Sequence, residues 1–352
     1  MRPWEANIRN VEPYVPGEQP KGADLIKLNT NENPYPPSPS VEKALKEMDY
    51  DQFRKYPDPK ASDLVHVLSD YYGVGTDEVF VGVGSDDVIA MAFMTFFNSE
   101  LPVLFPDVSY SFYKVWAELF GIPYETPMLQ EDFTIRKEDY YKANGGIIFP
   151  NPNAPTGVLL PLDEVEAIIA HNQNSVVIID EAYIDFGGES AVKLTRKYEN
   201  LLVVQTFSKS RSLAGMRIGY AIGHPDLIRS IHDVKYSYNS YTMNMPSLIL
   251  GREAVKDDNY FKECLDKIIK TREEAKKRLK DLGFSFPDSK ANFIFAAHKE
   301  IKAEDIYKAL REAHIFVRYF NLPRLDNYLR ITIGTEEEMK QLFDFLEAFL
   351  SN

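Results

Sequence analysis

Apolar residues along the chain follow two alternating patterns, one typical of buried strands and one typical of amphipathic helices. Five short apolar runs predict strands buried on both faces, centred near Val79, Val103, Ile147, Val177 and Val203. Apolar residues at helical spacing predict helices over 41–48, 61–72, 86–97 and 162–171. Strands that alternate with helices favour right-handed crossovers and a mainly parallel sheet. This part of the chain therefore predicts an α/β fold.

The carboxyl-terminal part of the chain has a different pattern. Residues 256–282 form a long, charged, amphipathic stretch that predicts a helix ending at Gly283. Apolar residues over 315–319 and 328–335 predict two further strands. The spacing of Thr335 and Glu338 is that of a capping box, which predicts the start of a closing helix. The apolar face of this helix consists of Met339, Leu342, Phe343, Leu346 and Phe349.

These patterns divide the chain into four parts. Residues 1–38 are predicted to form an arm, and the Pro- and Asn-rich stretch 11–39 is expected to cross onto a partner subunit or onto the small domain. Residues 39–250 predict a large domain, and residues 251–283 predict a connecting helix. Residues 284–352 predict a smaller α+β domain that also takes part of the arm.

Composition limits the classes of protein to which the chain can belong. Its 352 residues, 44% of them hydrophobic, suffice for a large core, and a net charge of −13 argues against a nucleic-acid or membrane-surface protein. No apolar run approaches the length of a membrane span, and the first residues lack the apolar core of a secretion signal. The single cysteine, Cys264, is predicted to be buried, which favours a cytoplasmic location. The six histidines lack metal-ligand spacing, so no metal is expected.

Lys209 is the first candidate catalytic residue, and it lies in the segment 206–217, TFSKSRSLAGMR, just after an apolar strand. A lysine that is desolvated and close to another cation loses its proton readily and becomes a Schiff-base nucleophile. The hydroxyls of Thr206 and Ser208, together with Arg217, are suited to hold a phosphate. Taken alone, a Ser-Lys pair on a loop is far more often an ordinary solvated lysine.

Asp180 ends the β-branched run 176–179, at the end of a strand where open α/β sheets bind ligands. A buried carboxylate needs a cationic partner, and a protonated pyridine nitrogen would serve. The alternative is an aspartate that caps the next turn or helix. Tyr183 offers a phenol to the same place, although in isolation it is more typical of a core aromatic.

Two loops add candidate binding groups. The segment 147–157, IIFPNPNAPTG, has three prolines within six residues, which favours a rigid loop able to hold polar groups against a flat ring, or else a plain Pro-rich connection. The segment 81–86, VGVGSD, ends one strand and opens a helix, and a helix amino terminus suits an anion. Ser85 or Asp86 could instead be a simple N-cap.

Together, the motifs NPNAPTG, DEAY and TFSKS, with Arg217 eight positions after Lys209, resemble the fold-type I aminotransferases that use pyridoxal 5′-phosphate (PLP). The resemblance extends from the arm to the closing helix. It implies the aspartate-aminotransferase-like fold, with a large cofactor-binding domain whose central sheet is mainly parallel and a smaller α+β domain. It also implies PLP as the cofactor.

Residue by residue, the resemblance implies that Lys209 bonds covalently to the cofactor, Asp180 pairs with the pyridinium nitrogen, and Tyr183 contacts the ring phenolate oxygen. The residues that would hold the phosphate are Thr206, Ser208, Arg217, Gly84, Ser85 and Asp86. Tyr110 matches an aromatic residue that stacks on the pyridine face. Tyr56 matches a tyrosine that reaches the cofactor phosphate of the neighbouring subunit, which implies a homodimer.

One position departs from the family pattern. The family usually has Asn immediately before Pro-Thr-Gly, where its amide contacts the ring phenolate oxygen, but this chain has Ala154. Either Asn153 supplies the contact, or Tyr183 makes it alone. In the second case the proton affinity of the bound cofactor differs, because a hydrogen bond to a phenolate favours its charged form.

The arm motifs around Tyr14 and Asn33 are similar to those of the histidinol-phosphate aminotransferase subgroup. The resemblance implies that Tyr14, Asn33, Arg318 and Arg330 bind the substrate, and that one pocket accepts the phosphate of histidinol phosphate and the carboxylates of glutamate or 2-oxoglutarate. Both are oxyanions that guanidinium groups bind well. An aromatic amino acid aminotransferase and a phosphothreonine decarboxylase remain alternatives within the fold. A non-catalytic ligand-binding regulator is a further alternative, against which an intact Lys209 and Asp180 argue.

Overall fold

Two β-sheets and ten α-helices make up the computed structural model, which describes residues 2–22 and 24–351. The strands are β1 Ile26–Leu28, β2 Val79–Gly82, β3 Val103–Leu104, β4 Tyr124–Glu125, β5 Gly146–Pro150, β6 Val177–Asp180, β7 Leu201–Thr206, β8 Gly219–Gly223, β9 Phe284–Ser285, β10 Phe293–His298, β11 Ile315–Tyr319 and β12 Leu329–Thr332. The helices are α1 Pro39–Lys46, α2 Ser62–Tyr72, α3 Gly84–Phe96, α4 Phe112–Phe120, α5 Leu162–His171, α6 Pro225–Tyr238, α7 Met245–Lys256, α8 Asp258–Asp281, α9 Ala303–Glu312 and α10 Glu336–Leu350. Among the residues that the structure describes, no helix is both long and apolar enough to cross a membrane.

The large sheet has the strand order β2-β8-β7-β6-β5-β3-β4. The strands from β7 to β4 pair in parallel, whereas β8 is antiparallel to both of its neighbours. All five strands predicted for this part of the chain are present, so the prediction of a mainly parallel sheet is confirmed. The parallel register places the carboxyl ends of β5, β6 and β7 side by side, with Pro150 opposite Asp180 and Asp180 opposite Val204.

Helices cover both faces of this sheet, which explains why its strands are apolar throughout. Successive residues of one strand point to opposite faces, and accordingly Ile179 packs in one core cluster while Ile178 packs in another. Side chains of α2, α5 and α7 belong to the first cluster, and side chains of α3, α4 and α6 belong to the second. The large domain is therefore a three-layer α/β structure.

The second sheet, in the order β1-β11-β12-β10-β9, forms the core of the small domain. Its strand β1 comes from the arm and pairs in parallel with β11, while the other pairs are antiparallel. Residues 26–28 of the predicted arm therefore form part of the second sheet. Thr335 caps α10, and the Glu338 side chain bonds back to its backbone N–H, so the predicted capping box is confirmed.

The connecting helix is shorter than the stretch assigned to it. Residues 251–256 belong to α7, whose side chains pack in the core of the large domain, and α8 begins only at Asp258. The backbone at Asp257 leaves the helical region, with φ −88° and ψ 60°. The polar run Lys-Asp-Asp-Asn at 256–259 interrupts the apolar spacing at this break.

Arg272 fixes α8 between the two domains. Arg272 is only 2% exposed, and its Nη1 donates to the carbonyl oxygens of Phe186 at 2.7 Å and Ala291 at 3.0 Å. Phe186 follows β6 of the large domain, and Ala291 precedes β10 of the small domain. Its Nε donates to Glu273 at 2.9 Å, which pairs the buried charge.

We expect Arg272→Met to lower the free energy of unfolding by about 3 kcal/mol, because two buried carbonyls and Glu273 lose their partner. The measurement is thermal or urea unfolding of the purified chain. Arg229→Met is the matched control, since Arg229 is 68% exposed and pairs with Asp226 on the surface. Equal stability of both variants would contradict the role assigned to Arg272.

Candidate active site

The loop after β7 carries Lys209 at the carboxyl edge of the large sheet. The loop is closed by two backbone bonds, from the N–H of Phe207 to the carbonyl of Ile218 and from the N–H of Leu213 to the carbonyl of Phe207, both at 3.0 Å. The Nζ of Lys209 donates to the carbonyl oxygen of Thr30 at 3.1 Å. The amine therefore faces the arm segment that passes over this edge.

Asn33 supports the same loop from the arm. Its Nδ2 donates to the carbonyl oxygens of Lys209 and Ser210, both at 3.1 Å, and its Oδ1 accepts the N–H of Tyr35 at 2.9 Å. A side-chain amide has two hydrogens, and here both contact the backbone. The binding of substrate by Asn33 stays a prediction, whereas its hold on the lysine loop is a contact that the sequence did not indicate.

Asp180, at the end of β6, is a buried carboxylate that is 4% exposed. Its Oδ2 accepts the hydroxyl of Tyr113 at 2.7 Å, and its Oδ1 accepts the N–H of Ala182 at 3.2 Å. Burial raises the pKa of Asp180 to about 6, although both hydrogen bonds act in the opposite direction. A nearby cation would stabilise the ionised form, so the position suits a protonated ring nitrogen.

The candidate phosphate-binding residues meet because β2, β8 and β7 are neighbours in the sheet. The Oγ1 of Thr206 donates to the Oγ of Ser208 at 3.0 Å, and the Nη1 of Arg217 lies 3.4 Å from the same Oγ. The amino terminus of α3 is on the other side of Arg217. The structure thus brings two hydroxyls, a guanidinium and a helix amino terminus together, all suited to an anion.

Gly84 allows this close approach. A Cβ at this position would lie 2.4 Å from the Nη2 of Arg217, and the backbone φ of +83° also favours glycine. Val83 is the N-cap of α3, so neither Ser85 nor Asp86 has the N-cap role considered as the alternative. The first N–H groups of a helix have no carbonyl partner within that helix and remain available to an anion.

The side chain of Asp86 contacts two other candidate residues, and its predicted place at the cofactor phosphate stays a prediction. Its Oδ2 accepts the Nη2 of Arg217 at 3.1 Å, and its Oδ1 accepts the hydroxyl of Tyr110 at 2.8 Å. A carboxylate repels a phosphate, so only the backbone N–H of Asp86 could bind one. The carboxylate instead orients Arg217 and Tyr110.

Arg318 and Arg330 form a pair of guanidinium groups beside this site. They are directly opposite each other in the pairing of β11 with β12. The Nη2 of Arg330 donates to the carbonyl of Asn29 at 2.9 Å, while its Nε is buried and has no hydrogen-bond partner among residues 2–22 and 24–351. Burial lowers the pKa of Arg330, and the charge of Arg318 lowers it further. A bound oxyanion would satisfy the unpaired N–H and separate the two like charges.

Tyr14 connects the arginine pair to the aromatic side of the site. Its ring stacks on Phe112 with centroids 4.2 Å apart, and the centroid of Tyr110 lies at 6.3 Å. Burial raises the pKa of Tyr14, while Arg318 and Arg330 oppose the rise through their charges. The charges of both arginines therefore act on Tyr14, and the shared substrate pocket that the resemblance implies for the three residues stays a prediction.

The loop after β5 shows whether Asn153 is free to contact the ring phenolate oxygen, the contact for which Tyr183 is the alternative. The Nδ2 of Asn153 donates to the carbonyl of Val108 at 3.1 Å and to the Oγ1 of Thr156 at 2.9 Å. No amide hydrogen of Asn153 is left for a ring oxygen. Ala154 packs in the apolar cluster that contains Tyr183. The arrangement favours the alternative in which Tyr183 acts without Asn153.

Tyr56 does not join the other predicted residues within this chain. It is 81% exposed, and its ring stacks on Tyr241 with centroids 4.6 Å apart. Its predicted contact with a neighbouring subunit stays a prediction.

Three residues of the site were not identified from the sequence: Tyr113, Thr30 and Asn31. Tyr113 lies three residues after Tyr110, which was a usable signal, but a buried tyrosine is usually a core residue. Thr30 contributes only its carbonyl oxygen, which no side-chain pattern reveals. The Nδ2 of Asn31 donates to the hydroxyl of Tyr183 at 2.9 Å.

A lysine loop, a buried carboxylate and an anion-binding helix terminus meet at the carboxyl edge of a mainly parallel sheet, where α/β enzymes bind their ligands. This combination defines an enzyme site of the kind in which a lysine amine reacts with a carbonyl group. The family model for aminotransferase class I and II matches residues 23–346. The chain belongs to this family.

Individual relatives are similar over almost the whole chain. A histidinol-phosphate aminotransferase from Brachyspira hyodysenteriae is 53% identical over 345 residues, which cover 98% of each chain. Histidinol-phosphate aminotransferase 1 from Hydrogenovibrio crunogenus is 55% identical over 339 residues, 96% of this chain and 95% of the relative. The solved histidinol-phosphate aminotransferase from Clostridium acetobutylicum has a TM-score of 0.85 at 24% identity, covering 93% of this chain and 100% of the other. The enzyme from Sinorhizobium meliloti, solved with pyridoxal-5′-phosphate, has a TM-score of 0.83 at 22% identity, covering 93% and 91%.

The pKa of Asp180 predicts a pH dependence of stability in the ligand-free chain. The folded chain keeps a proton on Asp180 up to a pH of about 6, whereas an unperturbed aspartate loses it near 3.8. The stability that this proton contributes is complete below the lower pH and is lost as pH rises through the upper one. Relative to Asp180→Asn, the free energy of unfolding should fall by about 3 kcal/mol across this window.

Urea unfolding of both proteins between acid and neutral pH measures this difference. Asp63→Asn serves as control, because the Asp63 side chain is 78% exposed and its loss should leave the pH dependence unchanged. Parallel stability curves for the parent chain and Asp180→Asn would show that Asp180 titrates normally.

Proposed function

We propose that this chain uses PLP to transfer an amino group between L-histidinol phosphate and 2-oxoglutarate, giving imidazole acetol phosphate and glutamate, a step of histidine biosynthesis. Membership of aminotransferase class I and II supports the reaction type. The identities of 53% and 55% over nearly complete chains, both to histidinol-phosphate aminotransferases, support the substrate.

The residues present fit PLP. Thr206, Ser208 and Arg217 would hold its phosphate, and the cradle that Gly84 leaves beside Arg217 has room because a Cβ is absent. Asp180 would hold the pyridine nitrogen in its protonated form, since that cation offsets the burial of the carboxylate. When bound, PLP supplies an aldehyde that exchanges with amines and an electron-withdrawing ring that stabilises negative charge at the substrate Cα.

Proton transfer is the task of Lys209. Its amine would hold the cofactor at the aldehyde, and when not so bonded its Nζ would be the general base that takes the proton from the substrate Cα. The carbonyl of Thr30, 3.1 Å from Nζ, directs the amine within the site. Tyr183 would donate to the ring oxygen, and Tyr110 would stack on the ring face.

The observation that carries the substrate assignment is the pairing of Arg318 with Arg330, next to Tyr14. One guanidinium is enough for a carboxylate, whereas two adjacent ones also suit the greater charge of a phosphate monoester. The same pocket can accept the phosphate of histidinol phosphate in one half-reaction and a carboxylate of glutamate in the other. Phenylalanine and tyrosine, with one carboxylate each, use this pair less fully.

We also propose that the active unit is a cytoplasmic homodimer. Exposed aromatic residues of two segments, 50–56 and 238–241, meet where Tyr56 stacks on Tyr241, and large exposed aromatic surfaces are typical of interfaces. They are Tyr50, Phe53, Tyr56, Tyr238 and Tyr241, at 83%, 52%, 81%, 71% and 47% exposure. Tyr56 would reach the cofactor phosphate of the partner subunit. The one cysteine, Cys264, is free and buried, which suits a reducing compartment.

Turnover of different amines tests the proposed function. With 2-oxoglutarate as acceptor, we expect kcat/KM for histidinol phosphate to exceed that for phenylalanine or tyrosine by at least about 100-fold, equivalent to the loss of one or two charged hydrogen bonds. Formation of glutamate is the readout, and Lys209→Ala, which lacks the base, should give none. Preference for phenylalanine, or release of carbon dioxide from phosphothreonine, would refute the assignment.

Replacement of Arg330 tests the substrate pocket. Arg330→Ala should raise KM for both histidinol phosphate and glutamate by about 10- to 100-fold, because a charged bidentate contact is lost. Cofactor affinity, measured by absorbance, should change little. Arg229→Ala is the control, since the Arg229 side chain is 68% exposed and pairs with Asp226 of the same helix α6. Equal loss of substrate and cofactor binding would place Arg330 in a different pocket.

A further inference from the structure

The arm segment 29–33 links the small domain to the cofactor site. The carbonyl of Asn29 accepts Arg330 of β12, the carbonyl of Thr30 accepts Lys209, and the carbonyl of Asn31 accepts the Nδ2 of Asn292 at 3.1 Å. Asn31 itself is 1% exposed and has a positive φ of 56°, a conformation that asparagine tolerates better than most residues. Its backbone is therefore held in one place, deep in the structure.

The side chain of Asn31 stands between Thr332 and Tyr183. Its Oδ1 accepts the hydroxyl of Thr332 at 3.0 Å, and its Nδ2 donates to the hydroxyl of Tyr183 at 2.9 Å. The backbone N–H of Asn31 donates to the same Thr332 hydroxyl at 3.1 Å. Thr332 is 2% exposed and Tyr183 8%, so these bonds are shielded from water.

Thr332 sets the direction of this chain of bonds. A hydroxyl has one hydrogen, and the Thr332 oxygen already accepts the backbone N–H of Asn31. Its hydrogen is satisfied when the amide oxygen of Asn31 faces it, which turns the amide nitrogen toward Tyr183. With the amide reversed, the Thr332 hydrogen would lose its acceptor, and Tyr183 would have to donate its own hydrogen to Asn31.

We propose that Asn31 is a positioning residue for the cofactor reaction: by donating to the Tyr183 hydroxyl, it leaves the phenolic hydrogen free to be donated to the ring oxygen of PLP. The inference rests on the proposed function, since it assigns Tyr183 to that oxygen. Asn31 acts through Tyr183 and does not touch the cofactor. Thr332 acts one bond further away, by fixing the amide of Asn31.

The departure at Ala154 increases the importance of this arrangement. Ala154 has no donor, and both amide hydrogens of Asn153 contact protein atoms. Tyr183 is then the donor available to the ring oxygen, and its hydrogen must point in one direction. The Asn31 amide, supplied from the arm, sets that direction, whereas the family usually has an asparagine amide immediately before Pro155.

The pH titration of the bound cofactor's visible absorption is the sharpest test. A donor to the ring oxygen makes that oxygen a poorer acceptor for the proton it shares with the lysine nitrogen, so loss of the donor raises the pH midpoint of the colour change. We expect Asn31→Ala to raise the midpoint by about 0.5 to 1 pH unit in the holoenzyme. In a Tyr183→Phe background the same change should add nothing, because Asn31 has no hydroxyl left to orient.

Further variants separate positioning from general loosening of the arm. Thr332→Val should shift the midpoint in the same direction as Asn31→Ala, and Thr332→Ser, which keeps the hydroxyl, should restore it. If Asn31→Ala folds poorly, Asn31→Gly is the substitute, because it also removes the side-chain amide and glycine adopts the positive φ without strain. Asn29→Ala is the matched control, because the Asn29 amide is buried in the same segment but donates to the carbonyl of Glu18. It should leave the midpoint unchanged.

The outcomes distinguish this inference from the proposed function. A shift from Asn31→Ala that vanishes in the Tyr183→Phe background supports the inference. Equal shifts in both backgrounds, or an equal shift from Asn29→Ala, overturn it and leave the enzyme assignment intact, since no amine substrate is used. Failure of the parent protein to develop a pH-dependent visible band with PLP overturns the proposed function, and the inference with it.

Discussion

A carboxylate that is buried at the end of a strand is the constraint on which the rest of this site depends. Asp180 is 4% exposed, and its proton affinity is raised even though it accepts two hydrogen bonds. Removal of a charge from water is costly unless a partner compensates for it. The fold tolerates this cost because it places the Lys209 amine and a binding site for an anion at the same edge of the sheet. A ligand with a cationic ring and an anionic group can then bind Asp180 and the anion site while it lies against the amine.

The topology explains why these groups meet. Parallel strands end at one edge, so the loops after β5, β6 and β7 converge. The antiparallel strand β8 separates β2 from β7 and carries no candidate site residue, yet its Gly219 lets the amino terminus of α3 lie close, beside Arg217. The arm completes the site from the other side, where it contributes mainly backbone carbonyls and side-chain amides. These groups hold the lysine loop and the arginine of β12 in place.

Much of this could be predicted from sequence. Asp180 ends one strongly apolar strand and Lys209 follows another, so their positions relative to the sheet follow from the pattern alone. The parts that could not be predicted depend on which atom of a residue is used. The sequence did not indicate that the Asp86 carboxylate would contact Arg217 and Tyr110. Thr30 acts through its carbonyl, and the roles of Asn31 and Tyr113 depend on contacts 152 and 67 residues away in the chain. Spacing patterns describe neighbours along an element and carry no information on such distant pairs.

Strand β12 carries two residues that serve different parts of the site. Arg330 and Thr332 are two residues apart on β12, so their side chains project from the same side of the strand. One is suited to grip an incoming anion, and the other steers the amide that faces Tyr183. A displacement of this strand would therefore be felt simultaneously at the substrate and at the phenol. The substrate pocket and the orientation of the phenol therefore share one rigid element of the small domain.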